Sequence, residues 1–304
     1  MEKQRNLKKV ICFGEVLWDH LPSGRKAGGA PMNVAYHLRQ MGIDSCMVSC
    51  VGADVLGNEL LNFMEQMKLP SHLLQITDKY QTSEVIAHIS EDNEVNYDII
   101  YPVAWDFIEW KPEYAVLLKE ASAFVFGSLA ARNKTSQETL FKMLEYSTFN
   151  VFDINLRAPH YDLAILEQLL TKTHLLKLNQ AELSLLAENL DFSEDEDKIV
   201  PYLCEKFKIE EVIVTKGSAG ASLHVGALKY SRPIYPVKVV DTVGSGDSFL
   251  AGFLAGRLQG EQSEKCLDNA SALAAFVTMH AGACPPYSKQ EFEYFQEKLP
   301  IVSV

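Results

Sequence analysis

The sequence predicts an α/β protein with a mainly parallel central sheet flanked by helices on both faces. Three observations carry that expectation. Short, continuous apolar runs recur along the chain, as in strands buried on both faces. Stretches with apolar residues at i, i+3 and i+4 separate them, which implies right-handed crossovers and parallel neighbours. The chain has 304 residues, 47% of them hydrophobic, enough for a large core without disulfide or metal staples.

Taken in order, the strands fall at residues 10–14, 46–51, 123–127, 150–153, 175–178 and 211–215. Helical spacing occupies 32–41, 55–67, 136–146, 163–171 and 181–189. Three further helices, 247–259, 263–280 and 289–298, close the chain. One stretch breaks this rhythm. Residues 82–100 read as two alternating strands, 85–89 and 95–99, around the polar turn Ser90-Glu91-Asp92-Asn93. A hairpin inserted in an α/β chain suits an active-site lid. With no Gly/Ser/Pro linker and no internal repeat, residues 1–304 form one domain, with lid segments at about 15–27 and 82–108. Alternation gives the hairpin one apolar face, from Val85, Ala87, Ile89, Val95, Tyr97 and Ile99. A second copy would cover that face by twofold symmetry, so a homodimer through the lid is expected.

Composition narrows the function. Forty acidic against 28 basic side chains give a net charge of -12 and no basic stripe, which argues against a nucleic-acid partner. The basic opening (Lys3, Arg5, Lys8, Lys9) precedes an apolar stretch, 10–16, that already contains Glu15. That is too short and too charged for an export signal. No apolar run reaches 18 residues, so no membrane span is expected. The six cysteines contain no C-x-x-C pair and read as thiols of a cytoplasmic protein.

The strongest chemical signal is Asp241-Thr242-Val243-Gly244-Ser245-Gly246-Asp247, running into an apolar helix. Small residues at a helix N-terminus let backbone N–H groups converge on an anion. Helix capping alone would explain one Asp, but not the three small residues before it or the second Asp at 241. A carboxylate beside a phosphate is repelled by it. Taking a proton from an attacking hydroxyl gives Asp247 a reason to be there. The sequence lacks a Walker A loop, and the turn after the first strand offers Gly14-Glu15 rather than a dinucleotide fingerprint.

Weaker signals lie elsewhere. Gly28-Gly29 precedes a helix carrying Asn33, whose amide suits sugar hydroxyls; Asp19 adds a carboxylate from what reads as a loop. Three strand ends are polar: Asp153-Ile154-Asn155-Leu156-Arg157, Asn179 with Glu182, and Thr215-Lys216-Gly217. Ligands of open α/β sheets bind beyond such carboxyl ends. Asn179 and Glu182 are equally a capping pair.

Together these motifs resemble the ribokinase-like, or PfkB, family of carbohydrate kinases, and within it the bacterial fructokinases. The resemblance implies a ribokinase-like fold with a small β-lid and an ATP-dependent kinase, with Mg2+ and a monovalent cation, K+, as cofactors. It makes Asp247 the catalytic base and Gly244, Ser245 and Gly246 the anion hole. Asp19, Gly28, Gly29, Asn33 and Arg157 would hold the sugar, and Asn179, Thr215, Gly217, Gly244 and Gly246 the ATP. Asn179 and Glu182 would organise magnesium and phosphate, and Asp241 the monovalent cation. The opening Gly14-Glu15-Val16-Leu17-Trp18-Asp19 is similar to fructokinases and makes D-fructose the expected substrate. Ribose, 2-keto-3-deoxygluconate, nucleosides and other ketoses are the alternatives within the family. A non-catalytic sugar-binding protein is the alternative outside it, and a retained Asp247 argues against that.

Overall fold

The computed structural model describes residues 8–21, 24–89 and 95–299. Strand β1 (Lys9–Phe13) is buried on both faces, with Val10 and Cys12 in one half of the core and Ile11 and Phe13 in the other. The chain then leaves the main sheet for an antiparallel pair, β2 (Leu17–Leu21) and β3 (Gly24–Gly28). Helix α1 (Ala30–Gln40) brings it back, with Pro31 in the first turn, where a missing N–H costs nothing. β4 (Asp44–Gly52) pairs in parallel with β1. Asp54 caps α2 (Val55–Gln66), and β5 (Leu74–Thr77) forms that edge of the sheet.

Next come β6 (Ser83–Ile89) and β7 (Val95–Ile99), the expected hairpin. β6 pairs in parallel with β2, so both inserted segments join in one four-stranded sheet, ordered β3-β2-β6-β7. After it, α3 (Glu113–Glu120), β8 (Ala123–Gly127), α4 (Lys134–Leu144), β9 (Asn150–Asp153), α5 (Leu163–Leu170) and β10 (Leu175–Asn179) repeat the strand–helix unit. α6 (Gln180–Asn189) and α7 (Glu196–Phe207) precede β11 (Glu211–Thr215), which starts an antiparallel run with β12 (Ala221–Val225) and β13 (Leu228–Arg232). α8 (Ser245–Gln259), α9 (Ser263–Thr278) and α10 (Lys289–Glu297) follow.

The main sheet has nine strands in the order β13-β12-β11-β10-β9-β8-β1-β4-β5. Its parallel part runs from β11 to β5, and six of those seven strands, all but the edge strand β5, are the ones that the apolar runs predict. One core layer joins it to α1, α2, α8, α9 and α10, the other to α3, α4, α5, α6 and α7. Phe13, Phe124, Phe126 and Phe152 line the second layer, each fully buried and contributing about 1.5–3 kcal/mol. On the opposite side Gly252 lets α8 approach Ala270 of α9, where a side-chain carbon would lie 3.0 Å from the neighbouring Cα.

The inserted sheet differs from expectation at its margins. Thr82 belongs to the body: its N–H and hydroxyl donate to Asp54 at 2.8 and 2.7 Å. Beyond Ile99 the chain re-enters the core, where Val103, Ala104, Trp105 and Ile108 are buried. Within the segment 82–108 the inserted strands are β6 and β7, and residues 103–108 pack their apolar side chains in the main core. Asp19 lies within β2, paired with Lys26, rather than in a loop. The outer side of this sheet is fastened to α2: the Trp18 indole donates to the Leu56 carbonyl at 3.0 Å and meets Phe63 edge-on. Arg25, which lies over the Trp18 ring, pairs with Glu59. The turn Ser90-Glu91-Asp92-Asn93, the side chains of Ala87, Ile89, Val95 and Tyr97, and Lys3 and Arg5 lie outside the described residues. No described helix is long and apolar enough to cross a membrane.

Candidate active site

A cleft of about 790 Å³ opens between the carboxyl ends of the central strands and the inserted sheet. At its midpoint the chain enters α8. Gly244, just before the first turn, has φ 75°, and a side-chain carbon there would lie 2.6 Å from Ala283 Cβ. Both facts require glycine. Asp241 fastens the loop from behind, accepting from the Val243 and Gly282 N–H groups at 3.0 and 2.9 Å. The N–H groups of Gly246 and Asp247 belong to the first turn and have no carbonyl four residues back within the helix. They are the donors an anion would use.

Asp247 faces the cleft from that turn, and its Oδ2 accepts from Asn33 Nδ2 at 2.8 Å. The amide is itself oriented by Cys284, whose thiol donates to Asn33 Oδ1 at 3.2 Å. Burial pushes the Asp247 carboxyl up to about 6, helped by the Asp153 carboxylate. Lys177, the Asn33 bond and Arg157 pull the other way. The result is a carboxylate at neutral pH whose proton affinity is enhanced, which suits a general base.

On one side of Asp247 the wall combines acidic side chains with apolar side chains of the inserted sheet. Asp19 projects from β2, its carboxyl raised to about 6 by burial and Asp247 against the opposing pull of Arg157 and His20. Glu15 is 3% exposed and accepts from the Ala30 N–H at 3.2 Å. Burial raises it to about 7, against the pull of two backbone N–H groups. Leu17, Val85 and Ile99 form the roof. Gly29, at φ 116°, lets the backbone pass against the Glu15 carbonyl, where any side chain would collide.

On the other side stand the strand ends. Asn179 closes β10 and caps α6: its Oδ1 accepts from the Glu182 N–H at 2.9 Å, while Glu182 Oε2 accepts from the Asn179 N–H at 2.8 Å. The capping pair is therefore real, and it still faces the cleft. Glu182 Oε1 accepts from the Leu156 N–H at 2.8 Å; burial and Asp153 raise the carboxyl. Thr215 ends β11 and Gly217 follows in a tight turn at φ 54°. Ile234, Pro236 and Val239 add an apolar strip beyond them.

Of the residues singled out in the sequence, Asp19, Gly29, Asn33, Arg157, Asn179, Glu182, Thr215, Gly217, Gly244, Ser245, Gly246 and Asp247 line this one cleft. Gly28 and Asp241 do not. Gly28 makes room for the Asp19 carboxylate, with which a side chain would collide, and Asp241 works behind the loop. Motif reading passed over Glu15 and Lys177. Lys177 lies within a strand read as apolar, which was the available signal, and its Nζ pairs with Asp153 Oδ2 at 2.6 Å.

The backbone matches that of a fructokinase from Xylella fastidiosa, solved with bound ATP, with a TM-score of 0.86 over 96% of this chain and 99% of that one. At 21% identity this shows the fold, which is that of sugar kinases. The sequence pattern of the pfkB family carbohydrate kinases matches residues 14–290, and the chain belongs to that family. Its relatives include a nucleoside kinase of Methanocaldococcus jannaschii, 25% identical over 91% of this chain and 92% of that one. A fructokinase of Klebsiella pneumoniae is 28% identical over 82% and 84%.

Proposed function

We propose that this carbohydrate kinase transfers the γ-phosphoryl group of ATP to a primary hydroxyl of a neutral free sugar, D-fructose. The observation that carries the reading is the position of Asp247: a carboxylate in the first turn of α8, between the anion-binding amides and the acidic pocket under the inserted sheet. The hydroxyl attacks in line while Asp247 takes its proton, and the Gly246 and Asp247 amides meet charge on the transferring group. Asp19 and Asn33 hold the sugar hydroxyls, and Arg157 lies beside them at the rim. Thr215, Gly217 and the strip at Ile234 and Val239 take the nucleotide.

The donors present suit magnesium. Glu182 and Asn179 offer oxygens, and the buried Asp153 Oδ1 has no hydrogen-bond partner. Magnesium keeps several waters and takes few carboxylates beside phosphates, so Glu182 and Asn179 would hold it through water. When bound, it neutralises phosphate charge. Asp241, with its loop, is the proposed place for a potassium ion.

Substrate charge follows from the lining. Glu15, Asp19 and Asp247 face the sugar end, with Arg157 as counter-charge, which disfavours sugar acids and phosphosugars and leaves neutral sugars. A coupled ADP-release assay over fructose, ribose, 2-keto-3-deoxygluconate and nucleosides tests this. The highest kcat/KM is expected with fructose. A higher value for another substrate overturns the fructose assignment, and no turnover with any overturns the kinase reading. The protein is expected to work in the cytoplasm.

A further inference from the structure

Lys177 is a buried cation that the mechanism above does not use. It sits in β10 between Leu176 and Leu178, both fully buried, and its own side chain is 8% exposed. Asp153 is its direct partner, at 2.6 Å. Stability is a poor explanation for this pair, because replacing a buried ion pair by apolar residues is often neutral or stabilising.

Its surroundings supply a better one. A side-chain carbon at Gly246 would lie 3.3 Å from Lys177 Nζ and 3.8 Å from Cε. The anion loop is therefore open to the ammonium because residue 246 carries no side chain. Backbone geometry does not demand glycine there. Gly244 needs its left-handed φ of 75°, whereas Gly246 lies inside α8, where glycine is disfavoured relative to alanine. The tight neighbour at 246 is the Lys177 side chain, which a side-chain carbon there would force to give by a few tenths of an ångström. Charge points the same way. Asp153, Asp247 and Glu182 all act on Lys177, so three carboxylates gather where a polyphosphate must come, with one fixed ammonium among them. Asp153 holds that ammonium through Oδ2 while its buried Oδ1 has no hydrogen-bond partner.

We propose that Lys177 is a catalytic residue of phosphoryl transfer: its ammonium donates to a non-bridging oxygen of the phosphoryl group as that group passes over the Gly246 amide. Asp153 is the positioning residue that holds it there. The ammonium offsets the repulsion between Asp247 and the phosphoryl oxygens, and it does so from a fixed position that needs no reorganisation. This inference rests on the kinase reading.

Lys177→Met alone leaves Asp153 buried and unpaired, a change expected to destabilise the fold strongly. The test is therefore Lys177→Met/Asp153→Asn, which removes both charges together, with Lys177→Gln as a second variant that keeps an N–H for Asp153. Melting curves establish that each is folded. The expected result is a kcat about 10²–10³-fold lower, as for loss of one oxyanion donor, with KM for sugar and ATP nearly unchanged. Asp153→Asn alone keeps the ammonium and is expected to lower kcat by about tenfold, again with little change in KM. A folded double variant or Lys177→Gln with kcat within about tenfold of wild type overturns the proposal. If wild type itself turns over no sugar, the kinase reading falls and this one with it. An active wild type beside equally active variants overturns Lys177 alone.

Discussion

At the residue scale, the site is organised around one carboxylate whose neighbours fix both its direction and its proton affinity. Cys284 orients Asn33, and Asn33 orients Asp247. Asp247→Asn keeps the shape and removes the proposed base, so turnover should fall by about 10²–10⁴ while ATP binding persists. Near-wild-type turnover in that variant would remove Asp247 from the mechanism. The reach of the sequence is also clearest here. Asp247 and its glycines are contiguous, so a local motif displays them. Glu15 acts from the connection between β1 and β2 and Lys177 from β10, and only the fold brings them to Asp247. A lysine inside an apolar run was visible, but its partner Asp153 stands 24 positions away.

At the element scale, apolar runs mark strands only where both faces are buried. β1, β4, β8, β9, β10 and β11 meet that condition and were legible. β13 has exposed side chains and pairs antiparallel, β3 is the polar run Gly24–Gly28, and neither shows the pattern. The inserted sheet was half visible, because the alternation of its hairpin could be read but its pairing with β2 could not. Val85 and Ile99 turn out to roof the cleft, so part of the apolar face assigned to a partner subunit is covered by the site itself. Replacing residues 84–98 with a short Gly-Ser turn, and leaving Thr82 to its Asp54 bonds, should give a folded protein with a raised KM for sugar. Light scattering on the same pair of proteins tests the dimer. A wild-type dimer that becomes a monomer on deletion supports pairing through the lid, and a monomeric wild type removes it. Loss of folding would show that β6 and β7 belong to the core.

At the scale of the whole molecule, function is built against stability. Glu15, Asp19 and Asp247 have folded pKa values of about 7, 6 and 6, above the ordinary 4.5, 3.8 and 3.8. The folded state therefore holds protons that the unfolded chain has released, and this contribution is lost as pH rises through the raised values. His37 works in the opposite sense. Burial lowers it from 6.5 to about 4, so acid below pH 6.5 favours the unfolded chain, which binds the proton. Three raised carboxyls outweigh the one lowered imidazole, so the ligand-free protein should melt higher at about pH 5 than at about pH 6.5, and lower again toward about pH 8. Glu15→Gln should flatten the alkaline decline, and a midpoint that rises from pH 6.5 to 8 would contradict the account. The way the inserted sheet is fastened to the body has an optical consequence as well. Of the chain's three tryptophans, Trp105 and Trp110 pack in the body, and Trp18 alone sits where the lid meets α2 under the Arg25 guanidinium. Any movement of the inserted sheet against α2 would change what surrounds that indole, so Trp18 fluorescence would report it.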